Sequence, residues 1–346
     1  MTNISTKRMT GIPRRGGSPL DHLIFSLALG AWGAFIAFFS MKSHPAHLAK
    51  DFTYPWRAAR ALLDGLDPYQ VIQATGPYPF NAGFFYPLPG AIIAIPFAPL
   101  PPHVAGALFV FVGSTLLAWG VIRTAPHRLW LFASAPFVQA AILGQWSPIL
   151  TAAALTPALQ FVLAGKPTTG FAAWAYNPTW RGVIGGLIVV AIAFAVQPTW
   201  LADWRAAMPS TTRYRGPALT LMGAFLFLGL ARWRRREGRL FMALAIAPQL
   251  PVWYEQLMLW LIPSTRWRSL ALTACSWVGY LLWYPDRMSP QQNEIAFPLM
   301  LFSIYAPALV LLLMLPSREE APAAPSSPAP GVSAAPDESA AAPTAP

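Results

Sequence analysis

The chain has 346 residues, of which 55% are hydrophobic and only 11% are charged, and its mean hydropathy is +0.45. A soluble globular domain carries about 25% charged residues. A chain so poor in charge cannot cover its surface with groups that water solvates, so lipid must replace water over much of it. The composition predicts an all-α, polytopic transmembrane helical bundle and excludes a soluble domain.

The net charge is +11 and the isoelectric point is about 10.2, which raises the question of nucleic acid. The lysines and arginines fall in short clusters between apolar runs, as is typical of membrane loops, and form no basic face within a recognisable motif. Membrane lipids are therefore expected partners and nucleic acid is not. The single cysteine, Cys275, allows no disulfide and no cysteine-based metal site.

The N-terminal segment 1–19 is polar and basic, and residues 20–40 form an apolar run long enough to cross a bilayer. No small-residue cleavage site follows this run, so we interpret it as a transmembrane helix rather than a signal peptide. Basic flanks favour the cytoplasm. Segment 1–19 is therefore predicted to be cytoplasmic, in a multi-pass protein of the plasma (inner) membrane, with the loop 41–83 on the extracytoplasmic side.

Further apolar runs follow along the chain, and prolines interrupt many of them. They lie at about 84–100, 104–122, 129–143, 147–164, 168–179, 182–200, 217–231, 240–262, 269–284 and 296–315. Several are shorter than the roughly 20 residues that one crossing needs. The pattern predicts a transmembrane domain over 20–315, with about 9–11 membrane segments and several short or broken helices. The prolines indicate either kinked packing or a cleft that dips into the membrane. The Ala/Pro/Ser-rich tail 316–346 is expected to be disordered.

The strongest orientation signal is the basic stretch 232–239, which should be cytoplasmic. Arg266 and Arg268 form a second, weaker cluster. If both clusters are cytoplasmic, the run 240–262 becomes a re-entrant pair broken at Pro248 and Pro251. That pair is short for two crossings, and the sequence leaves the parity of this region open.

The first outer loop contains a predicted amphipathic helix that begins near Thr53. Apolar residues recur at helical spacing, at Phe52, Trp56, Ala59, Leu63 and Leu66, while Arg57, Arg60 and Asp64 take the other side. Such a helix is expected to lie in the membrane interface. Asp51 stands just before it, where a carboxylate either caps the helix or acts as a general base at the membrane surface.

Several short motifs carry a resemblance to a known family. They are Asp51-Phe52, the block Ala58–Tyr69 ending in Asp-Pro-Tyr, Phe85–Pro89, Gly144-Gln145, Lys166-Pro167, and Pro198–Trp200 ahead of Trp204. Over roughly residues 20–315 the chain resembles the GT-C class of membrane glycosyltransferases. It looks most like glycosyltransferase family 87, the polyprenyl-phosphate-mannose-dependent mannosyltransferases. The resemblance implies transfer of a hexose from a polyprenyl-phosphate donor to a lipid or glycan acceptor hydroxyl outside the cytoplasm, with inversion and without a cofactor.

The resemblance also implies roles for individual residues. The family's catalytic base is an Asp in the first outer loop, which falls on Asp51. A cation would steady the departing lipid phosphate. Lys166, the only lysine after Lys50, is the candidate for that role, and the alternative is a loop lysine whose side chain reaches the interface. Arg57 and Arg60 are weaker phosphate candidates, since they could instead meet lipid headgroups.

Further residues are candidates for substrate binding: Tyr54, Asp67, Tyr69, Tyr86, Gln145, Trp200, Trp253, Tyr254 and Glu255. The chain also departs from the family. The late outer-loop segment Pro251–Gln256 has no histidine, which leaves Glu255 without an assigned role. No D-x-D motif is present, and the pair His44 and His47 with one Asp is weak support for a metal, so no metal site is predicted.

Two other classes of function compete with the enzyme. A transporter or flippase of lipid-linked intermediates would suit the broken helices, but the sequence shows neither an internal repeat nor paired intramembrane charges. A catalytically inactive membrane scaffold subunit is opposed only by Asp51 and its surroundings.

Overall fold

The computed structural model describes residues 18–44, 48–80, 82–208 and 215–316. Nearly all of the predicted cytoplasmic segment 1–19, the tail beyond Pro316 and His47 lie outside these ranges. The described residues form the α-helices α1 Pro19–Lys42, α2 Thr53–Leu63, α3 Pro68–Val71, α4 Leu88–Ala94, α5 Pro102–Thr124, α6 Ala135–Leu143, α7 Ser147–Leu155, α8 Pro167–Tyr176, α9 Trp180–Val196, α10 Trp200–Ala207, α11 Arg236–Ile246, α12 Arg266–Trp283, α13 Gln292–Met300 and α14 Ala306–Leu313.

Shorter helical segments of other kinds join these helices. The 3₁₀ segments are Lys50–Phe52, Ile95–Phe97, Pro126–Ala133, Pro157–Gly165, Pro217–Leu219, Ala224–Arg232, Trp253–Leu261 and Tyr284–Asp286, and a π-helical turn occupies Leu301–Tyr305. The only β feature in the described ranges is an isolated antiparallel bridge between Arg215 and Gln249. The expectation of an all-helical chain is confirmed for the part that the structure describes.

Three helices are long and apolar enough to cross a membrane: α1, α5 and the composite helix Gln292–Leu313. The pair α9 and α10 passes the same test together but is bent by 93°. These helices support a membrane protein with several spans. The count of 9–11 membrane segments stays a prediction, because most of the other apolar runs are divided into shorter helices.

Prolines stand at the beginnings of many of these short helices. Pro136, Pro148, Pro157 and Pro167 each occupy the first or second position of their segment. The fixed φ of proline suits a first helical turn, and the missing N–H has no partner to lose there. The prolines therefore start short helices instead of kinking long ones.

Small residues bring α1 and α5 into close antiparallel contact. A Cβ on Gly30 would lie 1.9 Å from Thr115 Oγ1, and one on Gly106 would lie 2.5 Å from Met41 Sδ. Glycines at helix interfaces permit this approach of the backbones. The end of α5 consequently lies beside the start of α1.

The basic clusters converge at that same end of the bundle. Arg128 donates to the Pro263 carbonyl at 3.2 Å and to the Tyr176 hydroxyl at 3.2 Å. Arg239 donates to the Ala175 carbonyl at 3.0 Å, and Arg232 donates to the Leu313 carbonyl at 2.8 Å. Helix α11 thus leaves this end and the segment Trp253–Leu261 returns to it. This path is compatible with the re-entrant pair, whose relation to the membrane stays a prediction.

Helix α2 forms where the amphipathic pattern predicts it, but only some of the predicted apolar side chains are buried. Trp56 and Ala59 are buried as expected, whereas Leu63 is 59% exposed and Leu66 is 39% exposed. Alanine side chains at 58, 59 and 61 let the first two turns pack closely on protein. The last turn projects beyond that contact, so its leucines stay outside the core.

Candidate active site

Four polar side chains from distant parts of the sequence meet in one cluster, which we call the Asp51 cluster: Asp51, Gln145, Lys166 and Glu255. Gln145 Nε2 donates a short hydrogen bond to Asp51 Oδ2. Lys166 Nζ lies 3.4 Å from Gln145 Oε1 and 2.5 Å from Glu255 Oε1. Gln145 therefore bridges a carboxylate and a cation that is itself paired with a second carboxylate.

The ends of short helices place these side chains. Gly144 ends α6 in the left-handed conformation, with φ of 64°. A Cβ there would lie 2.8 Å from Met41 Cε and 3.1 Å from the Ala49 carbonyl. Glycine is thus required both for the backbone conformation and for the contact with the loop that carries Asp51. The turn that it makes directs Gln145 toward that loop.

Lys166 depends on a similar close contact. Its neighbour Gly165 packs against the Trp146 ring, where a Cβ would approach Trp146 Cη2 to 2.8 Å. The contact brings the start of α8 next to the end of α6. The Lys166 ammonium also lies over the Tyr254 ring, 5.3 Å from its centroid, which favours a cation.

Asp51 does not cap α2. The residue at the N-cap position is Phe52, which makes no side-chain cap. The neighbouring turn is strained, since Leu48 and Lys50 both adopt positive φ, at 49° and 54°. Such conformations cost about 1–3 kcal/mol each and concentrate at functional sites. The capping interpretation of Asp51 is wrong, and its carboxylate instead faces the cluster.

The surroundings of Asp51 suit a group that accepts a proton near neutral pH. Burial raises the pKa of Asp51 from 3.8 to about 6, even though the positive charge of Lys166 and the bond from Gln145 lower it, and Glu255 raises it further. The side chain remains partly accessible to solvent. A general base works best when its pKa lies near the operating pH.

Aromatic side chains continue from the cluster along the first loop. The Tyr86 ring stacks on Trp146 at 6.4 Å and lies 6.1 Å from the Tyr54 ring. Tyr69 donates to the Tyr86 carbonyl at 3.0 Å, which fixes this segment. Tyr54, Tyr69 and Tyr86 thus lie near one another. The Tyr69 hydroxyl is used in a hydrogen bond to the backbone.

The structure does not bring the other candidates to the cluster. Arg57 donates to the Pro79 carbonyl, and Arg60 lies over the Trp56 ring. Asp67 caps α3 by accepting from the Tyr69 N–H. These three residues stabilise the first loop.

Trp200 and Trp253 are buried among other rings. Trp200 packs against Trp204 and Phe194, while Trp253 is fully buried beside Tyr280 and Trp283. Neither ring face is free to stack on a sugar in this conformation.

Sequence reasoning did not foresee the ion pair between Lys166 and Glu255. A signal existed, because Lys166 is the only lysine after Lys50 and Glu255 is the only acidic residue between Glu237 and Asp286. An isolated charge between apolar runs is costly unless it finds a partner. This pair removes the lack of paired charges as an objection to a transporter.

Within the described ranges, no group of three His, Cys, Asp or Glu side chains is placed to hold a metal ion. Comparison with protein-family models, curated proteins and solved structures gave no match. The chemistry of the Asp51 cluster therefore carries the functional assignment.

Proposed function

We propose that this chain is an inverting membrane glycosyltransferase of the GT-C class, which transfers a mannose-like hexose from a polyprenyl-phosphate donor to a lipid or glycan hydroxyl. The observation that carries the proposal is the geometry at Asp51. A carboxylate with a pKa of about 6 accepts a bond from a bridging amide, close to a lysine, in the first loop after the spanning helix α1. The absence of a cap bond leaves that carboxylate available for chemistry.

The proposed reaction assigns a role to each member of the cluster. Asp51 accepts the proton of the acceptor hydroxyl as its oxygen attacks the anomeric carbon, and the bond from that carbon to the phosphate oxygen breaks. The departing polyprenyl phosphate takes the electron pair of this bond, and Lys166 stabilises its charge. Gln145 orients Asp51, and Glu255 holds Lys166 until the phosphate competes for it.

The ion pair itself favours a second candidate, a transporter of lipid-linked intermediates. Lys166 and Glu255 are joined at 2.5 Å and stand among apolar helices. Paired charges among membrane helices are common along transport pathways, so the assay must separate transfer from movement.

The test is sugar transfer by the purified chain in vesicles that contain a polyprenyl-phosphate-mannose donor and an alkyl mannoside acceptor. Asp51→Asn keeps the size of the side chain but removes the proton acceptor, so we expect the transfer rate to fall by about a hundredfold or more. Asp286→Asn is the matched control, because Asp286 lies in the turn after α12 and its carboxylate forms no ion pair within the ranges that the structure describes.

Normal transfer by a correctly folded Asp51→Asn protein would contradict the proposal. Movement of the donor between leaflets without any transferred sugar, abolished by loss of Lys166 or Glu255, would establish the transporter instead. Neither activity in the wild-type chain would favour the scaffold.

A further inference from the structure

A second feature shares no residue with the Asp51 cluster: a groove of about 660 Å³ between α1, the segment Pro126–Ala133 and α12. Its walls are largely apolar, with Leu29, Trp32, Leu129, Trp130 and Trp277 among them. Arg266 and His127 are the only lining residues with ionisable side chains, and none is acidic. The groove thus combines an apolar bed with a basic rim.

The walls are fixed by hydrogen bonds to one short stretch of backbone. Trp277 Nε1 donates to the Ala133 carbonyl at 2.7 Å, and Trp32 Nε1 donates to the Phe132 carbonyl at 3.4 Å. Both indole N–H groups are therefore satisfied, while the apolar parts of the rings line the groove. An apolar chain could lie against the Trp32 and Trp277 rings without leaving either of these donors unpaired.

Arg266 makes the rim positively charged, and no acidic side chain in the described ranges forms an ion pair with it. Arg266 is also exposed. His127 Nε2 lies 3.0 Å from the Pro263 carbonyl, and burial lowers the pKa of His127. Arg266 is therefore the cation of the rim at neutral pH.

None of the residues that line the groove is acidic. The acidic residue of α1, Asp21, is bonded to Ser18 and lies about 12 Å along the helix from Leu29. The sequence carries no Asp or Glu from 68 to 202 or from 256 to 285. An anionic group at Arg266 would meet no repulsion from these segments.

The position of the groove indicates where a ligand would come from. Helix α1 is only 22% buried over its most apolar window, so most of its surface beside the groove is available to lipid. The groove touches the middle of α1, at Leu29 and Trp32, and its basic rim of His127 and Arg266 lies just after the end of α5 and at the start of α12, whereas Asp51 follows the C-terminal end of α1. It lies with the converging arginines, at the end that the basic residues predict to be cytoplasmic.

We propose that this groove binds a glycerophospholipid with an anionic headgroup, drawn from the leaflet on the basic side of the bundle. An acyl chain lies along the tryptophan-lined bed, and the headgroup phosphate pairs with Arg266. Basic pockets between membrane helices on the cytoplasmic side bind lipid headgroups in this way. The proposal is independent of the reaction at Asp51.

The test is native mass spectrometry of the full chain released from nanodiscs that contain equal amounts of phosphatidylglycerol and phosphatidylcholine. The wild-type chain should retain one phosphatidylglycerol in preference to phosphatidylcholine. Arg266→Gln should reduce that preference about fivefold, the effect of one basic residue near the membrane surface. Ala133→Phe fills the groove without changing a charge and should reduce retention of both lipids.

Arg287→Gln is the control, since Arg287 is an exposed arginine near the opposite end of α12. It should retain lipid as the wild type does. Equal retention of both lipids by the wild type, or unchanged retention in both Arg266→Gln and Ala133→Phe, would overturn the proposal. Displacement of the retained lipid by an equal amount of polyprenyl phosphate would reassign the groove to a lipid-linked sugar carrier.

Discussion

Asp51 has two neighbours of opposite charge that act on its proton in opposite directions. Lys166 lowers its pKa and Glu255 raises it, while burial has the largest effect and raises it. The two neighbours are themselves joined at 2.5 Å. Any ligand that separates Lys166 from Glu255 therefore also changes the basicity of Asp51. Removing either charge should shift the pKa of Asp51 in a known direction.

The pH dependence of transfer should report the state of Asp51. A base must be deprotonated to act, so the rate should fall about tenfold per pH unit below pH 6 and level off above about pH 7. Glu255→Gln should move this acid limb to lower pH, and Lys166→Gln should move it to higher pH. The measurement is the pH profile of kcat/KM for the wild type and the two variants. If all three proteins have the same acid limb, Asp51 is not the general base.

Lys166 should contribute chiefly to use of the donor. A charge-assisted contact to phosphate contributes about 1.5–3 kcal/mol, so Lys166→Ala should weaken donor kcat/KM roughly ten- to a hundredfold. Lys166→Arg keeps the charge and should lose less. Wild-type donor kinetics in Lys166→Ala would show that Lys166 does not bind the donor phosphate.

At the scale of elements, helix ends create the candidate site. Gln145 follows the left-handed end of α6, Lys166 stands between the segment Pro157–Gly165 and α8, and Asp51 lies in the turn before α2. Short helices supply many ends, and each end can direct a polar side chain inward. The broken helices are thus the means by which polar groups reach the interior of an apolar bundle.

The turn at Gly144 can be tested by substitution. Gly144→Ala places a Cβ in the left-handed conformation, at a cost of about 1–2 kcal/mol, and forces it against Met41 and Ala49. We expect a lower midpoint of thermal unfolding in detergent, together with reduced transfer because Gln145 shifts. Gly186→Ala is the control, since nothing lies within 4 Å of its added Cβ. An unchanged midpoint for Gly144→Ala would contradict the role assigned to this turn.

At the scale of the whole molecule, charge divides the bundle. Arg128, Arg232 and Arg239 all bond to backbone or side chains at the end where α5 finishes. Asp51 follows the opposite end of α1. By the positive-inside rule, this separation predicts an extracytoplasmic Asp51 and a cytoplasmic end for α14.

Cysteine labelling of intact cells tests this topology. In a Cys275→Ser background, an impermeant thiol reagent should label a cysteine at Leu66, which is exposed in the first loop. It should not reach cysteines at Arg234 or Ser264, which the re-entrant arrangement of α11 and Trp253–Leu261 places at the basic end. Labelling at 234 but not at 66 would reverse the orientation. Labelling at 264 but not at 234 would contradict the re-entrant pair.

The sequence by itself determined the class of protein and the position of its first helix. Too few charges for a water-facing surface require lipid, and one apolar run of sufficient length places α1, with Asp51 soon after it. The spacing of apolar residues also located α2. These features are local or compositional, so no contact between distant residues is needed to predict them.

Only the tertiary structure decided which polar groups meet. The bonds in the cluster join residues separated by 94, 21 and 89 positions. Periodicity carries no information on such contacts. It therefore predicts neither the pairing of Lys166 with Glu255 nor the separation of Arg57, Trp200 and Trp253 from the cluster. Desolvation is the physical reason for the pairing: a charge among apolar helices must find its counter-ion wherever packing places it.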